Sequence, residues 1–133
     1  MSTLAVKNAL LARLRADPSL RAIVHEGVVT DRPSRYLTVY ADLGLRTAAR
    51  LTGPQTRATQ TFTIHSVGST PEKAQQVSAL VIAQLVDHVL VVEGRSCWPV
   101  THEETQPPGL DTDVNPPLHY CVDGFQVVST PTA

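Results

Sequence analysis

Two stretches of the chain repeat apolar positions with the spacing of a helix. In the first, apolar residues recur at intervals of three, four and seven, at Leu4, Val6, Leu10, Leu11 and Leu14. Because such a stripe can face a core along one side of a helix, the pattern predicts a helix from Ser2 or Thr3 to about Ala16. Asp17 and Pro18 end it, since the residue before a proline avoids helical backbone angles. Residues 19–24 then form a single helical turn.

A second helix is predicted from residue 70 to about residue 89. Two start signals overlap there: Thr70 can cap the helix with Pro71 at its first position, or Ser69 and Glu72 can form a capping box. The buried stripe predicted for this helix consists of Ala74, Val77, Leu80, Val81 and Leu85. Residues 77–92, the most apolar stretch, are too short for a membrane span and include charged and polar positions. We therefore expect no membrane association.

The clearest strand is predicted at residues 57–67, where side chains alternate between two faces. One face carries Thr59, Thr61, Thr63 and His65. The other face carries Ala58, Gln60, Phe62 and Ile64. Threonine is β-branched yet polar, so the first face suits a pleated surface that is partly wet or pressed against a polar partner.

Shorter strands are predicted at residues 27–30, 36–40, 95–103 and 118–129. Pro99 makes the third an edge or bulged strand, because proline cannot donate to a strand ladder. A bulge is expected in the last strand at Gly124. Long loops are expected at residues 41–56 and 104–117, which are rich in glycine or proline. The order of elements predicts an α+β fold, with a mainly antiparallel sheet of four to five strands and two helices packed on one face. At 133 residues the chain is expected to form a single domain, residues 1–133.

Charge is divided unevenly along the chain. Residues 1–57 hold nine Lys and Arg against four acids, a balance of +5, and the rest holds two against eight, a balance of −6. Such asymmetry suggests either a half that binds polyanions or a subunit that docks head-to-tail on its own copies. The loop with Arg46, Arg50 and Arg57 has no aromatic residue between positions 42 and 55, and the domain is not basic, which disfavours sequence-specific DNA binding. We expect this loop to contact a neighbouring subunit or line a channel, and its predicted partner is an acidic arm containing Glu103, Glu104, Asp111 and Asp113.

Motifs for catalysis or cofactor binding are not found in the sequence. A metal set of Cys97, His102, His119 and Cys121 is disfavoured, because Cys97 and His102 are five residues apart and point to opposite faces of a regular strand. A nucleophilic set of Cys97, His119 and Asp123 lacks any local motif. We therefore expect no enzymatic activity, no cofactor and no bound metal, with Cys97 and Cys121 as free, partly buried thiols.

Three stretches carry a resemblance to a known family. They are the first helix with residues 15–24 and the segment that follows it, the alternating strand at residues 59–66, and the capped helix from Thr70 through Gln76, Val77, Leu80, Ile82 and Leu85. In this layout the chain resembles the tail-terminator, or tail-completion, proteins of long-tailed bacteriophages. The resemblance covers most of the chain up to residue 92, and the closing strands fit by their order.

The resemblance implies a structural virion protein that forms a ring, usually of six subunits, on the finished tail tube. Such a ring ends tube polymerisation and offers the surface that joins tail to head. The implied partners are further copies of the chain, the tail-tube protein, a head-side connector, and DNA that passes through the lumen without being read. The implied location is the tail–neck junction of the virion, and the host cytoplasm during assembly. A head-closure or adaptor protein of the phage neck is the first alternative, and a small enzyme or ligand-binding α+β domain is the second.

Overall fold

The computed structural model describes residues 2–26, 34–41, 45–48, 56–112 and 117–131. These residues form two helices and seven strands in the order α1 (Ser2–Arg15), β1 (Val24–Glu26), β2 (Arg35–Ala41), β3 (Leu45–Ala48), β4 (Thr56–Gly68), α2 (Pro71–Leu85), β5 (Arg95–Cys97), β6 (Thr101–Asp111) and β7 (Leu118–Pro131). No helix in these ranges combines the length and the hydropathy that a membrane crossing requires.

One sheet joins all the described strands. Its order is β1-β2-β4-β7-β5, with β3 added beside β4 and β6 added beside β7. Strand β1 runs parallel to β2, and the other described pairings are antiparallel. The long central pair β4–β7 sets Phe62 opposite Phe125. The predicted α+β fold with a mainly antiparallel sheet is therefore confirmed, although the sheet has more strands than the four to five predicted.

Both helices pack on the same face of the sheet, as predicted. The main apolar core contains residues of both helices and of the three central strands: Val6, Leu10, Leu14, Val77, Val81, Leu85, Leu37, Val39, Phe62, Ile64, Phe125 and Val127. Full burial of side chains of this size contributes roughly 1.5–3 kcal/mol each. The apolar stripes read from the sequence are thus the faces that join the helices to the sheet, except that Leu4, predicted as part of the first stripe, is 53% exposed.

Helix α2 begins where the sequence predicts and ends earlier. The Thr70 hydroxyl oxygen accepts a hydrogen bond from the Lys73 amide at 3.2 Å, with Pro71 in the first turn, so the first of the two start signals is the one used. The helix ends at Leu85 instead of about residue 89. Val86 is extended, and Asp87 has a φ of 66°. The reason is a competing partner, since the Asp87 amide donates to the Val100 carbonyl and the Val100 amide donates to the His88 carbonyl.

The predicted loop at residues 104–117 is wrong for most of its length. Strand β6 continues to Asp111 along β7, with irregularities between His102 and Glu104 and between Gln106 and Gly109. The second irregularity holds the two adjacent prolines, which cannot donate to a regular ladder. The bulge predicted at Gly124 also lies elsewhere, because β7 pairs with β4 without interruption and the extra residue belongs to β6.

Other strand boundaries also differ from the prediction. The loop expected at residues 41–56 contains β3, which pairs with β4 from Leu45 to Ala48. The strand expected at residues 95–103 is divided into β5 and β6. The strand expected at residues 27–30 lies outside the described residues, and β1 precedes it.

Candidate functional site

The face of the sheet turned away from the helices is the broadest candidate surface. On β4 it carries Thr59, Thr61, Thr63 and His65, which are exposed or partly buried. On the opposite face of the same strand, Phe62 and Ile64 are fully buried. The division of β4 into a polar and an apolar face is therefore confirmed. We call the polar face the open face; toward one end of it, Tyr36, Val67 and Leu118 form a second, smaller buried apolar cluster.

Aromatic rings occupy one part of the open face. The His65 ring lies edge-on to Tyr40 at 5.1 Å and stacks with Tyr120 at 6.4 Å and 22°. Gly109 allows β6 to approach this group, because a Cβ atom there would lie 2.8 Å from the Tyr120 ring. Burial lowers the pKa of His65 below its ordinary value, so the ring is neutral at physiological pH. This part of the face is aromatic and uncharged, a character that suits a protein partner better than a polyanion.

A groove with a cationic rim lies at one end of the open face. The Arg57 guanidinium sits 5.3 Å from the ring centre of Trp98, in cation–π geometry. A cavity of ≈ 270 Å³ opens beside them, lined also by Pro99, Thr101, Gln126 and Val128. Trp98 is the only tryptophan of the chain and is 48% exposed. Sequence reasoning selected Arg57 and missed Trp98, because the two residues are distant in sequence and meet only through the pairing of β4 and β7.

The other predicted basic residues are only partly located. The backbone of Arg46 pairs with Ala58 at the same end of the sheet as Arg57, and the Arg46 side chain is outside the described part of the structure. Arg50 lies wholly outside it. The expectation that these three arginines form one contact surface therefore stays a prediction.

The predicted acidic arm is instead an edge strand. Glu103 and Glu104 are exposed on β6, where the Thr101 hydroxyl donates to Glu103 at 3.1 Å and the Gln106 amide donates to Glu104 at 3.3 Å. Asp111 ends the strand opposite Leu118, and Asp113 lies outside the described residues. Glu103 and Glu104 have no Lys or Arg within 4.0 Å in the described ranges.

Among the described residues, the charges of the basic half of the sequence are not gathered on one face. Lys7 pairs with Glu26 at 2.9 Å, so one cation of the basic half is matched within that half. Arg35 pairs in register with Gly68, at the opposite end of the sheet from Arg57. Arg57 lies at one end of the open face, and Glu104 of β6 lies farther along the same face.

A buried polar cluster joins the helix layer to the sheet. Asp123 is fully buried; its carboxylate accepts a 2.6 Å hydrogen bond from the Ser78 hydroxyl and lies 3.0 Å from His102 Nε2. The His102 ring stacks on Phe125 at 5.0 Å. A cavity of ≈ 460 Å³ between α2 and β6 is lined in part by Ser78 and Cys121. The Ser78 hydroxyl donates its proton to the Asp123 carboxylate and not to His102. The serine and the histidine therefore do not form the hydrogen-bonded pair that nucleophilic catalysis requires. It ties α2, β6 and β7 together.

The structure separates Cys97 from His119, which both belong to the metal set and to the nucleophilic set considered from the sequence. Cys97 lies opposite Ser129, whereas His119 lies ten residues away on β7, about 33 Å at the rise of a strand. Neither the metal set nor the nucleophilic set that includes these two residues can therefore form. No group of three His, Cys, Asp or Glu residues in the described ranges could hold a metal ion. Both cysteines are free thiols, and burial raises the pKa of each.

Comparison with known proteins finds similar folds among solved structures and no matching sequence family. No protein-family model matches the sequence, and no curated protein matches it significantly. A chain of the structure described as the virion of a native gene transfer agent particle superposes with a TM-score of 0.71 at 17% identity, over 95% of this chain and 95% of that chain. A second solved structure superposes with a TM-score of 0.57 at 19% identity, over 98% of this chain and 92% of that chain. Along nearly its whole length, the chain thus shares its fold with a chain of a virion particle.

Proposed function

We propose that the chain is a structural subunit of a phage or phage-like virion, and that it forms the ring that terminates the tail tube. The observation that carries the proposal is the end-to-end likeness of its fold to a chain of a gene transfer agent virion. The tail-terminator role rests in addition on the resemblance of the first helix, the threonine-rich strand and the capped second helix to that family. The role assigned here is binding and assembly.

The described surfaces suit a ring subunit. The open face offers a broad polar and aromatic surface, and β6 offers a sheet edge on which Glu103 and Glu104 are exposed. A subunit that joins two different patches head-to-tail closes into a ring when the rotation between copies closes. The ring would contact tail-tube protein on one side and a head-side connector on the other, and DNA would pass through its lumen without base-specific contacts.

The neck-adaptor alternative shares the fold class and differs in the assembly step that it serves. Particles made without this chain separate the two roles. A terminator predicts over-long, uncapped tail tubes in electron micrographs, because nothing ends polymerisation. An adaptor predicts tails of normal length that fail to join heads.

The matched control is a particle preparation in which the chain is restored from a plasmid. Restoration of normal tube length would complete the support for the terminator. Normal, fully joined particles in the absence of the chain would refute both the terminator role and the adaptor role. The enzyme or ligand-binding alternative would then be favoured.

A further inference from the structure

The groove at Arg57 and Trp98 has the composition of a binding hot spot. Tryptophan and arginine are the residue types most enriched where protein interfaces concentrate their energy. Here the two are stacked and exposed, beside a small cavity whose walls include Pro99 and Val128. An exposed indole of this kind contributes most when a partner covers it and removes water from both of its faces.

Arg57 has no ion-pair partner in the described ranges, although the Glu103 carboxylate accepts a hydrogen bond from Thr101, which lines the same cavity. The recorded contact of Arg57 is the Trp98 ring. Glu103 and Glu104, exposed on β6, likewise have no described cation within ion-pair distance. The chain therefore presents an unmatched cation and an unmatched pair of carboxylates on one sheet.

The register of the sheet keeps Glu104 away from Arg57 within one copy. Glu104 is level with Gly124, and Gly124 is level with Thr63 on β4. Thr63 is six residues from Arg57, which corresponds to about 20 Å along the strand, and two strand spacings add about 10 Å across the sheet. This distance exceeds the reach of an arginine side chain, so a pairing between Arg57 and Glu104 needs a second molecule.

We propose that the Arg57–Trp98 groove receives the Glu103–Glu104 segment of β6 from a second copy of the chain. The contact joins two different patches, so it is head-to-tail, and repeated around a ring it leaves no groove empty. This inference rests on the proposed ring and names the residues that would close it.

Charge reversal tests the contact, with mass measured by light scattering for the protein alone and with its tail-tube protein. Arg57→Glu and the double change Glu103→Lys with Glu104→Lys are each expected to weaken assembly at least tenfold. An equal mixture of the two variants is expected to restore rings with an even number of subunits, because each junction then joins either two native or two reversed patches. Trp98→Ala is expected to weaken assembly without being rescued by the mixture.

The control reversals are Arg15→Glu and Glu72→Lys, exposed positions of the two helices that are expected to leave assembly unchanged. Far-UV circular dichroism checks that every variant folds. A wild-type chain that stays monomeric even with tube protein would refute the groove contact and the ring together. If the wild type assembles and either reversed variant assembles equally well, the groove contact alone is refuted. A mixture that stops at a dimer would overturn the head-to-tail arrangement.

Discussion

Replacement of Asp123 by alanine should lower the free energy of unfolding by about 2–4 kcal/mol. The carboxylate is fully buried and is the acceptor for Ser78, on α2, and the partner of His102, on β6. Its removal leaves two polar groups without a partner, and a buried group that loses its hydrogen bond costs about 1–3 kcal/mol. The His102 side chain is 24% exposed and keeps some contact with water. The expected loss of stability is therefore smaller than the sum for two fully buried groups.

A second variant tests whether the cost comes from the polar groups of the Asp123 cluster that are left unpaired. When Ser78→Ala, His102→Phe and Asp123→Val are combined, no polar group of the cluster remains unpaired. Replacement of a whole buried polar network by apolar residues is often close to neutral. The combined variant should therefore be more stable than Asp123→Ala, despite carrying three changes.

Urea unfolding followed by circular dichroism measures both variants, with the free energy taken by linear extrapolation. Glu93→Ala, which removes an exposed carboxylate, is the control and should stay within about 0.5 kcal/mol of the wild type. If Asp123→Ala also stays within that limit, the cluster does not tie the layers together. A combined variant less stable than Asp123→Ala would contradict the assignment of the cost to unpaired polar groups.

Three further changes test the fold and its pH dependence. Gly68→Ala should destabilise the chain by about 1–3 kcal/mol, because its Cβ would lie 2.6 Å from the Ala74 amide nitrogen, and a melting temperature equal to the wild type would contradict this. Ser66→Ala should keep or raise the free energy of unfolding by about 0–1 kcal/mol, because the buried hydroxyl has no hydrogen-bond partner in the described structure; a loss above 1 kcal/mol would show an unrecognised partner. Burial lowers the pKa of His65 in the folded chain below the unfolded value of 6.5, so the unfolded state binds more protons as the pH falls below 6.5. Stability should therefore decline below pH 6.5 and level off beneath the folded pKa, and His65→Gln should reduce that decline in urea unfolding at several pH values.

Local signals predicted the elements whose pattern is set by nearby residues. The stripe that includes Leu10 and Leu14 predicts α1 to within a residue, and the Thr70-Pro71 start predicts the beginning of α2. The alternation around Phe62 predicts which face of β4 is buried, since the side-chain period of a strand is two. These predictions succeed because periodicity and capping are properties of a short segment.

Predictions failed where a distant partner decides the structure. Residues 104–111 contain two adjacent prolines and two acids, and locally they resemble a loop. They belong to β6 because β7 supplies a partner before and after Pro107 and Pro108, and irregular pairing accommodates the two prolines. The same reason explains the Arg57–Trp98 groove and the Asp123 cluster, whose members come together only through sheet register and helix packing.

The proposed ring can be sought by cryo-electron microscopy of the purified chain mixed with the tail-tube protein of the same virion. If the chain terminates tail tubes, a closed ring of it should lie on one end of each tube, and tubes should stop growing once the ring is bound. Tubes that continue to lengthen in the presence of the chain, with no added density at either end, would contradict it.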